Sequence, residues 1–231
     1  MKSDPPRLSF VLVVGSQRER AGHALHSILR QEGIEMAEVL VLDAGADGVP
    51  PVAGSDHRVV EVLARRPAST FGQLKAEGVQ RARGYLVAFL EDHCVLAPGF
   101  LKAMLDAFQG PWSAAGGKCL NANPGVGASD LMAVTNYGLW MGRMAKGEAQ
   151  FVPGNNSVYR RAVLMAHEPD LVPLLTTDMV LQLRLRKDGH RFFLDPAARF
   201  GHLSEASPLS AAAAMFHYHR CMGQARAAVL G

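Results

Sequence analysis

Apolar positions in the first half of the chain follow two alternating patterns. Helical spacing of apolar residues occurs at Ala21–Gln31, Ser69–Ala82 and Gly99–Phe108. Short continuous apolar runs, which are typical of strands buried on both faces, lie at Leu8–Val14, Val39–Leu42, Val59–Leu63 and Tyr85–Leu90. This alternation predicts an α/β domain in which helices flank a mostly parallel central sheet.

The second half of the chain has a less regular pattern. Met and aromatic residues between Asp130 and Gly147 follow no clean period, which predicts either a mobile lid or a satellite core. Clearer patterns predict a helix at Thr176–Lys187, capped by Thr176 or Thr177, then short strands and a terminal Ala-rich helix, at Arg191–Leu194, Arg199–His202 and Ser210–Val229. No repeat or low-complexity linker interrupts the chain, so we predict one domain over residues 1–231.

The composition is that of an ordinary globular domain. With 231 residues, 48% of them hydrophobic, the chain can bury a sizeable core. The net charge is only +3 and the Lys and Arg residues form no block, which argues against nucleic-acid binding. Three cysteines without paired spacing indicate reduced thiols. The sequence has neither an export-signal pattern nor a long apolar span, so we expect a cytoplasmic protein.

Acidic residues stand at the ends of two predicted strands. Asp43 follows one apolar run, and Glu91, Asp92 and His93 follow another. In an open parallel sheet the carboxyl ends of the strands face a common crevice, so we expect these side chains to converge there. Carboxylates and an imidazole could hold Mn²⁺ or Mg²⁺, which would neutralise a bound diphosphate. The alternative is that each strand end is simply hydrated.

A longer series of motifs gives these residues a context. His202 and the stretch Arg220–Arg226 come last, after the segments LDAGADG, KAEGVQRARGYLVAFLEDH, APGFLKAML, GNNSVYRR and TTDMVLQLRLRKDGHR. In this order, from about Leu8 to Arg226, the series resembles the family 2 nucleotide-sugar glycosyltransferases. The resemblance implies a single GT-A-like domain, related to the Rossmann fold. It also implies a nucleoside-diphosphate sugar as donor and a divalent cation, Mn²⁺ or Mg²⁺, as cofactor.

The resemblance further implies roles for individual residues. Asp178 would be the catalytic base that deprotonates the acceptor hydroxyl. The donor would be bound by Asp43, Lys75, Glu91, Asp92, Arg184 and Arg220. The metal ligands would be Asp92, His93 and His202, and the acceptor would contact Trp140, Asn155 and Asn156. Residues 1–110 would form the nucleotide-sugar-binding half, and residues 111–231 the acceptor-binding half with the C-terminal helix.

Each of these assignments competes with a structural explanation. An acid such as Asp178 is favoured at a helix start because it complements the helix dipole, and that position alone would lower its pKa. Arg184 and Arg220 could lie on solvated helix faces, and His202 could be a structural histidine. The sequence Gly-Asn-Asn at 154–156 is also typical of a tight turn with positive φ.

Four features of the sequence, three single residues and one loop, depart from the pattern of the family. Ala44 follows Asp43, His93 replaces the last acid of the DxD-type motif, Thr177 stands in place of Glu, and the first loop reads Val14-Gly15-Ser16-Gln17. We predict an inverting glycosyltransferase and keep two alternatives, a catalytically impaired sugar- or nucleotide-binding protein and a sugar nucleotidyltransferase. The basic glycine-rich loop of the latter class is poorly matched by GSQRER.

The sequence leaves the acceptor and the assembly state open. A saccharide, a lipid-linked molecule or another hydroxyl compound fits the resemblance, and so does a homo-oligomer. Apolar and basic residues on different faces of the helix at Ser210–Val229 could bring it into peripheral contact with a membrane. Packing of this helix against the domain is the arrangement that we expect.

Overall fold

The computed structural model describes residues 5–15, 18–44, 60–64, 70–125, 127–204 and 207–230. The strands of these ranges are β1 Leu8–Val14, β2 Ala37–Asp43, β3 Val60–Ala64, β4 Leu86–Glu91, β5 Cys94–Leu96, β6 Ala114–Asn121, β7 Gly147–Ala149, β8 Ser157–Arg160 and β9 Phe192–His202. The helices are α1 Arg18–Leu29, α2 Phe71–Arg81, α3 Phe100–Ala107, α4 Gly127–Tyr137, α5 Arg161–Met165, α6 Leu171–Thr176, α7 Asp178–Lys187 and α8 Pro208–Leu230. Most of the Gly/Pro loop predicted after Asp43, at residues 45–51, lies outside the described residues, as do Ser16 and Gln17.

The strands form one mixed sheet in the order β3-β2-β1-β4-β8-β6-β9-β5, with β7 paired to β9. β1 lies between β2 and β4 and is parallel to both, and β2 is parallel to β3. β8 runs antiparallel to β4 and β6, whereas β9 runs parallel to β6. In the described part of the chain, β1, β2, β3, β4, β6 and β9 therefore point the same way, and the predicted mostly parallel sheet is confirmed.

Strand β1 shows how a continuous apolar run builds two layers of core. All seven of its residues are buried. Leu8, Phe10 and Leu12 belong to the core that contains α1 and α3, whereas Val11 and Val13 belong to the core that contains α2, α6 and α7. Side chains alternate along a strand, so a strand covered on both faces must be apolar throughout.

The register of the parallel strands brings their carboxyl ends to one edge of the sheet. Val14 of β1 lies beside Asp43 of β2, and Val13 lies beside Glu91 of β4. Helix α2 begins near the same edge, and Thr70 and Gln73 form the capping box that their spacing indicates. The expected convergence of the acidic strand ends is therefore present in the fold.

Strand β9 is one strand of eleven residues, where the sequence analysis predicts two short ones. Its two ends pair with β6 in different registers, and the shift lies between Gly116 and Lys118. The irregularity accommodates Pro196, which has no N–H to donate, and the strand continues beyond it. The prediction of two separate strands is therefore wrong. The end of β9 also pairs with β5, and this pairing sets His202 beside Cys94.

The less regular second half joins the same domain. Residues 127–140 form α4 and a short 3-10 turn, and Tyr137 and Trp140 are buried in the main core. They are therefore core residues, whereas Val134 and Leu139 stay exposed. Helix α8 packs against α6 and α7, as expected. Among the helices that the structure describes, none combines the length and the hydropathy needed to cross a membrane.

Candidate active site

A cavity of about 720 Å³ opens at the edge where the strands end, a volume that suits a small-molecule ligand. One part of its lining is polar, and we call these residues the polar cluster: Glu91, His93, Asn155, Asp178 and His202. Another part comes from α4, the 3-10 turn that follows it, α7 and α8, and it contains five large apolar side chains. We call it the apolar wall: Met132, Leu139, Met179, Met215 and Met222.

Glu91, the last residue of β4, is the centre of the polar cluster. Its Oε1 accepts a hydrogen bond from Asn155 Nδ2 at 2.7 Å. Its Oε2 accepts hydrogen bonds from the Tyr137 hydroxyl at 3.0 Å and from Asn156 Nδ2 at 3.3 Å. Donors on both oxygens fix the orientation of the carboxylate.

His93 and His202 face each other beside this carboxylate. Their Nε2 atoms are 3.1 Å apart and lie 3.7 Å and 3.5 Å from Glu91 Oε2. His93 Nδ1 is 2.9 Å from Asp92 Oδ1, and since an ionised carboxylate only accepts, Nδ1 donates and Nε2 of the neutral ring keeps its lone pair. His202 Nδ1 is 3.1 Å from the Ser204 hydroxyl. Outer hydrogen bonds of this kind orient histidines that bind metals.

Glu91, His93 and His202 form a set that could hold a metal ion. One donor atom from each residue lies within 4.8 Å of the other two. Asp92 does not join them, because its Oδ2 accepts the backbone N–H of Gly15 at 2.9 Å and its Oδ1 faces His93. β4 ends at Glu91, and in the turn that follows Asp92 faces Gly15 while His93 lies beside Glu91. The structure thus brings Glu91, in place of the predicted Asp92, to the two histidines.

The charges of this set shift the pKa values of its members. Burial alone would raise the pKa of Glu91, but His93, His202 and Lys75 hold that pKa well below its usual range. Burial would lower the pKa of His93, and the neighbouring carboxylates Glu91 and Asp92 outweigh it and raise that pKa. The cluster therefore favours an ionised Glu91 and attracts positive charge.

Asp178, the first residue of α7, is linked to Glu91 through two other side chains. Lys75 Nζ of α2 donates to Asp178 Oδ1 at 3.2 Å and also to Asn155 Oδ1. Asn155 in turn donates to Glu91. Lys75 is only 7% exposed, so packing holds its ammonium group at this position. Gly154 leaves room for the arrangement, since a Cβ there would strike the Asp178 carboxylate.

The pKa of Asp178 lies above its usual value. Burial is the main cause, the charge of Lys75 acts against it, and the charge of Glu91 adds to it. The lowering expected from the helix start alone is therefore outweighed by loss of contact with water. Thr177 occupies the N-cap position, but its buried hydroxyl makes no hydrogen bond within the described residues. The predicted capping of α7 by a threonine side chain is thus absent there.

The remaining predicted donor-binding residues lie elsewhere. Asp43 is buried at the end of β2, with its Oδ1 2.7 Å from a guanidinium nitrogen of Arg18. Arg184 lies in the last turn of α7, where its Nε is 3.0 Å from Asp188 Oδ2. Arg220 is exposed on α8. Neither Arg184 nor Arg220 belongs to the described residues that line the cavity, so this placement gives their predicted donor contacts no support.

The three predicted acceptor-binding residues differ in their access to the cavity. Asn155 lines it, and so does Trp140, whose indole N–H donates to the Phe151 carbonyl at 3.3 Å. Asn156 is fully buried behind Glu91 and has no surface with which to touch an acceptor. Residues 154–156 form a 3-10 turn, and no non-glycine residue in the described part of the chain has positive φ. The explanation of the two asparagines by positive φ is therefore excluded.

Three further residues line the cavity and were not predicted as site residues. Arg20 stands in the first turn of α1, and its charge acts on His93. The hydroxyl of Tyr137 stays a neutral donor to Glu91, because burial raises the pKa of Tyr137 well above its usual value. Tyr218 of α8 also lines the cavity, and 39% of its surface is exposed. The position of Arg20 just after β1 is the one signal in the sequence that could have indicated such a residue.

Comparison with known proteins gives this geometry a setting. The chain is similar to a crystal structure of GalNAc-T7 with UDP, GalNAc and Mn²⁺, with a TM-score of 0.62 and 11% identity over 87% of this chain and 44% of that one. It is also similar to a crystal structure of TarS 1-349 from S. aureus, with a TM-score of 0.54 and 12% identity over 85% of this chain and 60% of that one. No curated protein gives a significant match.

The two similarities and the family match carry different information. At 11% and 12% identity the structures show the fold alone, which is GT-A-like, and the chain spans 44% and 60% of their lengths. Residues 5–217 match the family described as "Glycosyltransferase like family 2", a range that contains the whole polar cluster. Since this match covers most of its length, the chain belongs to the glycosyltransferase-like family 2.

Proposed function

We propose that the chain is an inverting glycosyltransferase that moves a sugar from a nucleoside-diphosphate donor to an acceptor hydroxyl. The family and the fold support glycosyl transfer in general. One observation carries the finer proposal: Asp178, with its raised pKa, and the set Glu91, His93 and His202 line the same cavity. A base and a site for positive charge are the two elements that such a transfer requires.

Asp178 is the proposed general base. Its raised pKa makes the carboxylate a better proton acceptor than a hydrated Asp, and Lys75 fixes its Oδ1. In the proposed step the acceptor hydroxyl gives its proton to Asp178 while its oxygen forms a bond to the anomeric carbon. The bond from that carbon to the diphosphate oxygen breaks, and the nucleoside diphosphate leaves with the electron pair. Attack from the opposite face inverts the anomeric configuration.

The side chains of the candidate metal set have the chemistry that a divalent cation requires. Glu91 is ionised, and each histidine has its Nδ1 engaged and its Nε2 turned toward the carboxylate. Two imidazoles and a carboxylate suit Mn²⁺ better than Mg²⁺, which prefers oxygen ligands. When bound, the ion supplies positive charge that stabilises the leaving diphosphate. GalNAc-T7, a similar fold, was solved with Mn²⁺ and UDP.

The donor is proposed to lie along the strand ends of residues 1–110, and the acceptor against residues 111–231. Asp43 stands at the sheet edge next to the end of β1, but it is buried, so its proposed role near the nucleoside is to hold Arg18 in place. Arg20 lines the cavity region that the diphosphate would occupy, and Lys75, buried behind Asn155 and Asp178, adds positive charge next to it. This arrangement suits a nucleoside diphosphate without selecting its base.

A donor screen tests the proposal. Sugars carried by UDP, GDP or dTDP would be incubated with the protein and Mn²⁺, and release of the nucleoside diphosphate would be measured. We expect release from at least one donor, its loss with EDTA, and inverted anomeric configuration of the product by NMR. Retained configuration would contradict the mechanism.

Calorimetry with the three nucleoside diphosphates, with and without Mn²⁺, separates the alternatives. Nucleotide binding without any turnover would favour a catalytically impaired binding protein. Formation of a nucleotide sugar from a nucleoside triphosphate and a sugar 1-phosphate would favour a nucleotidyltransferase.

A further inference from the structure

The cavity changes character with distance from the polar cluster. Four methionines line it, namely Met132 of α4, Met179 of α7, and Met215 and Met222 of α8. On α8 the lining residues are spaced at i, i+3, i+4 and i+7, so a single face of the helix is turned toward the cavity: Met215, Tyr218, His219 and Met222. Among the described residues that line the cavity, those of α4 and α8 include no Lys, Arg, Asp or Glu.

Apolar exposure continues on the helices that carry this wall. Val134 and Leu139, which line the cavity, are 62% and 79% exposed, and Phe216 of α8 is 73% exposed. The lining from α4 and α8 also includes residues that can form hydrogen bonds, namely Thr135, Asn136, Tyr218 and His219. The methionines and Leu139, however, offer no strong hydrogen-bond partner to an acceptor decorated with hydroxyls, and unpaired polar groups reduce affinity. Methionine side chains are flexible and apolar, so they adapt to hydrocarbon of varied shape.

We propose that the apolar wall is an acceptor subsite for a molecule whose reactive hydroxyl is attached to an apolar body, such as an alkyl chain. This inference rests on the proposed function, because the occupant must set a hydroxyl at Asp178. Met179 follows Asp178 in the first turn of α7, and both residues line the cavity, so the apolar wall lies directly beside the proposed base. The polar part of the cavity then takes the donor, and the methionines take the hydrocarbon.

A titration followed by NMR tests the subsite without any donor or turnover. Protein labelled with [methyl-¹³C]methionine would be titrated with methyl, n-hexyl and n-octyl β-glucoside, each kept below its micelle concentration. We expect the methyl signals of the four lining methionines to shift, while those of Met104 in the core and Met165 on α5 stay in place. Each buried methylene adds up to about fourfold in affinity, so octyl should bind about tenfold more tightly than hexyl.

Two results of this titration would overturn the proposal. One is equal affinity for the methyl and octyl compounds, which would mean that only the sugar head is recognised. The other is a shift confined to methionines outside the wall. Sedimentation with phosphatidylcholine vesicles then distinguishes the source of the apolar body: co-sedimentation points to an acceptor held in a bilayer, and protein left in the supernatant points to a dispersed amphiphile.

A matched pair of variants adds a second measurement. The double variant Met215→Gln with Met222→Gln keeps the length of both side chains and adds polarity, so the gain from hexyl to octyl should disappear. The control Met165→Gln, on a helix away from the cavity, should keep that gain. If the double variant retains the full dependence on chain length, the wall is not the subsite.

The outcomes separate the subsite from the proposed function. Alkyl binding at the wall without transfer from any donor would reject the function and leave the subsite standing. Transfer to short polar acceptors, with no advantage for alkyl ones, would reject the subsite and leave the function standing.

Discussion

Two carboxylates of one cavity, Glu91 and Asp178, have pKa values that are shifted in opposite directions. Burial alone would raise both. Two histidines and four neutral donors, Tyr137, Asn155, Asn156 and the Cys94 thiol, surround Glu91 in the described structure, and the charges bring its pKa well below the usual range. Asp178 has the cation Lys75 on one oxygen and the like charge of Glu91 nearby, so its pKa stays raised.

The difference shows that the surroundings of each acid, and not its residue type, determine which acid attracts a cation and which can take up a proton. An acid with a lowered pKa stays ionised and attracts a cation, whereas an acid with a raised pKa can take up a proton. Lys75 and Asn155 link the two acids while keeping them in separate environments. A variant that changes one acid and leaves the other in place therefore tests this division of roles.

The largest effect is expected for Asp178→Asn. The amide cannot accept the hydroxyl proton, so transfer should fall by about 10²–10⁴-fold. Binding of Mn²⁺ should stay unchanged, because Asp178 is not part of the Glu91, His93 and His202 set. Nucleotide release and calorimetry measure the two properties. The control is Asp188→Asn, an exposed change at the C-terminal end of the same helix, which should keep full activity. If both variants were equally active, Asp178 would not be the base.

The variant His202→Ala removes one of the three candidate metal ligands. Loss of one of three side-chain ligands should weaken Mn²⁺ binding by at least about 100-fold, which is the upper end of the 10- to 100-fold typical of outer-shell changes. Calorimetry with Mn²⁺ measures this directly. His190→Ala removes a histidine that pairs with Ser113 away from the cavity, and it should bind Mn²⁺ normally. Unchanged Mn²⁺ affinity in His202→Ala would contradict the proposed site.

Removal of the link between the acids, with Lys75→Met, should change the pH dependence of transfer. The positive charge of Lys75 lowers the pKa of Asp178, so its loss raises that pKa and moves the acid limb of the kcat/KM profile to higher pH. A lost hydrogen bond to a charged group is worth about 1.5–3 kcal/mol, or roughly 10- to 100-fold in rate.

The loss should be greatest at acid pH and smallest at alkaline pH, where Asp178 is ionised in either protein. Lys102→Met, on the exposed surface of α3, is the control and should leave the profile in place. An acid limb that stays where it is in Lys75→Met would show that another group controls it.

The smallest effect is expected for Gly154→Ala. The added Cβ would strike the Asp178 carboxylate, so we expect destabilisation of about 1–3 kcal/mol, as is typical of overpacking, together with reduced transfer. Gly127→Ala meets nothing within 4 Å and should be close to neutral. Thermal unfolding of both variants measures the difference. Equal stability would mean that Asp178 can move away from its present position without cost.

Strands β1 to β4 could be predicted because each is a mainly apolar run bounded by turns. Strands buried on both faces must be apolar throughout, and Leu8–Val14 was predicted residue for residue. The short β5, β7, α5 and α6 were not predicted, because elements of three to six residues are too short for a period. Continuous strand β9 was divided in two by its central Pro196.

The sequence predicts where the site lies on the sheet, but it predicts fewer of the contacts between its side chains. Strand ends indicated the edge of the sheet where Glu91 and His93 lie, but the sequence could not show that the turn after β4 directs Asp92 to Gly15 and leaves Glu91 beside the two histidines. The pairing of Arg184 with Asp188 at i, i+4 was visible in the sequence and would have placed Arg184 at the surface. Tyr137 and the methionines gave no such signal, since the order of helices around a cavity depends on tertiary packing.

The pairing of β5 with β9 has a consequence for how the protein folds. His93 and His202 are 109 residues apart along the chain and meet only after the last strand has joined the sheet. A ligand held by both histidines can therefore bind the native state and not the unfolded chain, and above its dissociation constant it stabilises the native state by an amount that grows with the logarithm of the ligand concentration. Such long-range closure is slow to form. We therefore expect the capacity to bind this ligand to appear late in refolding, when β9 has paired with β5.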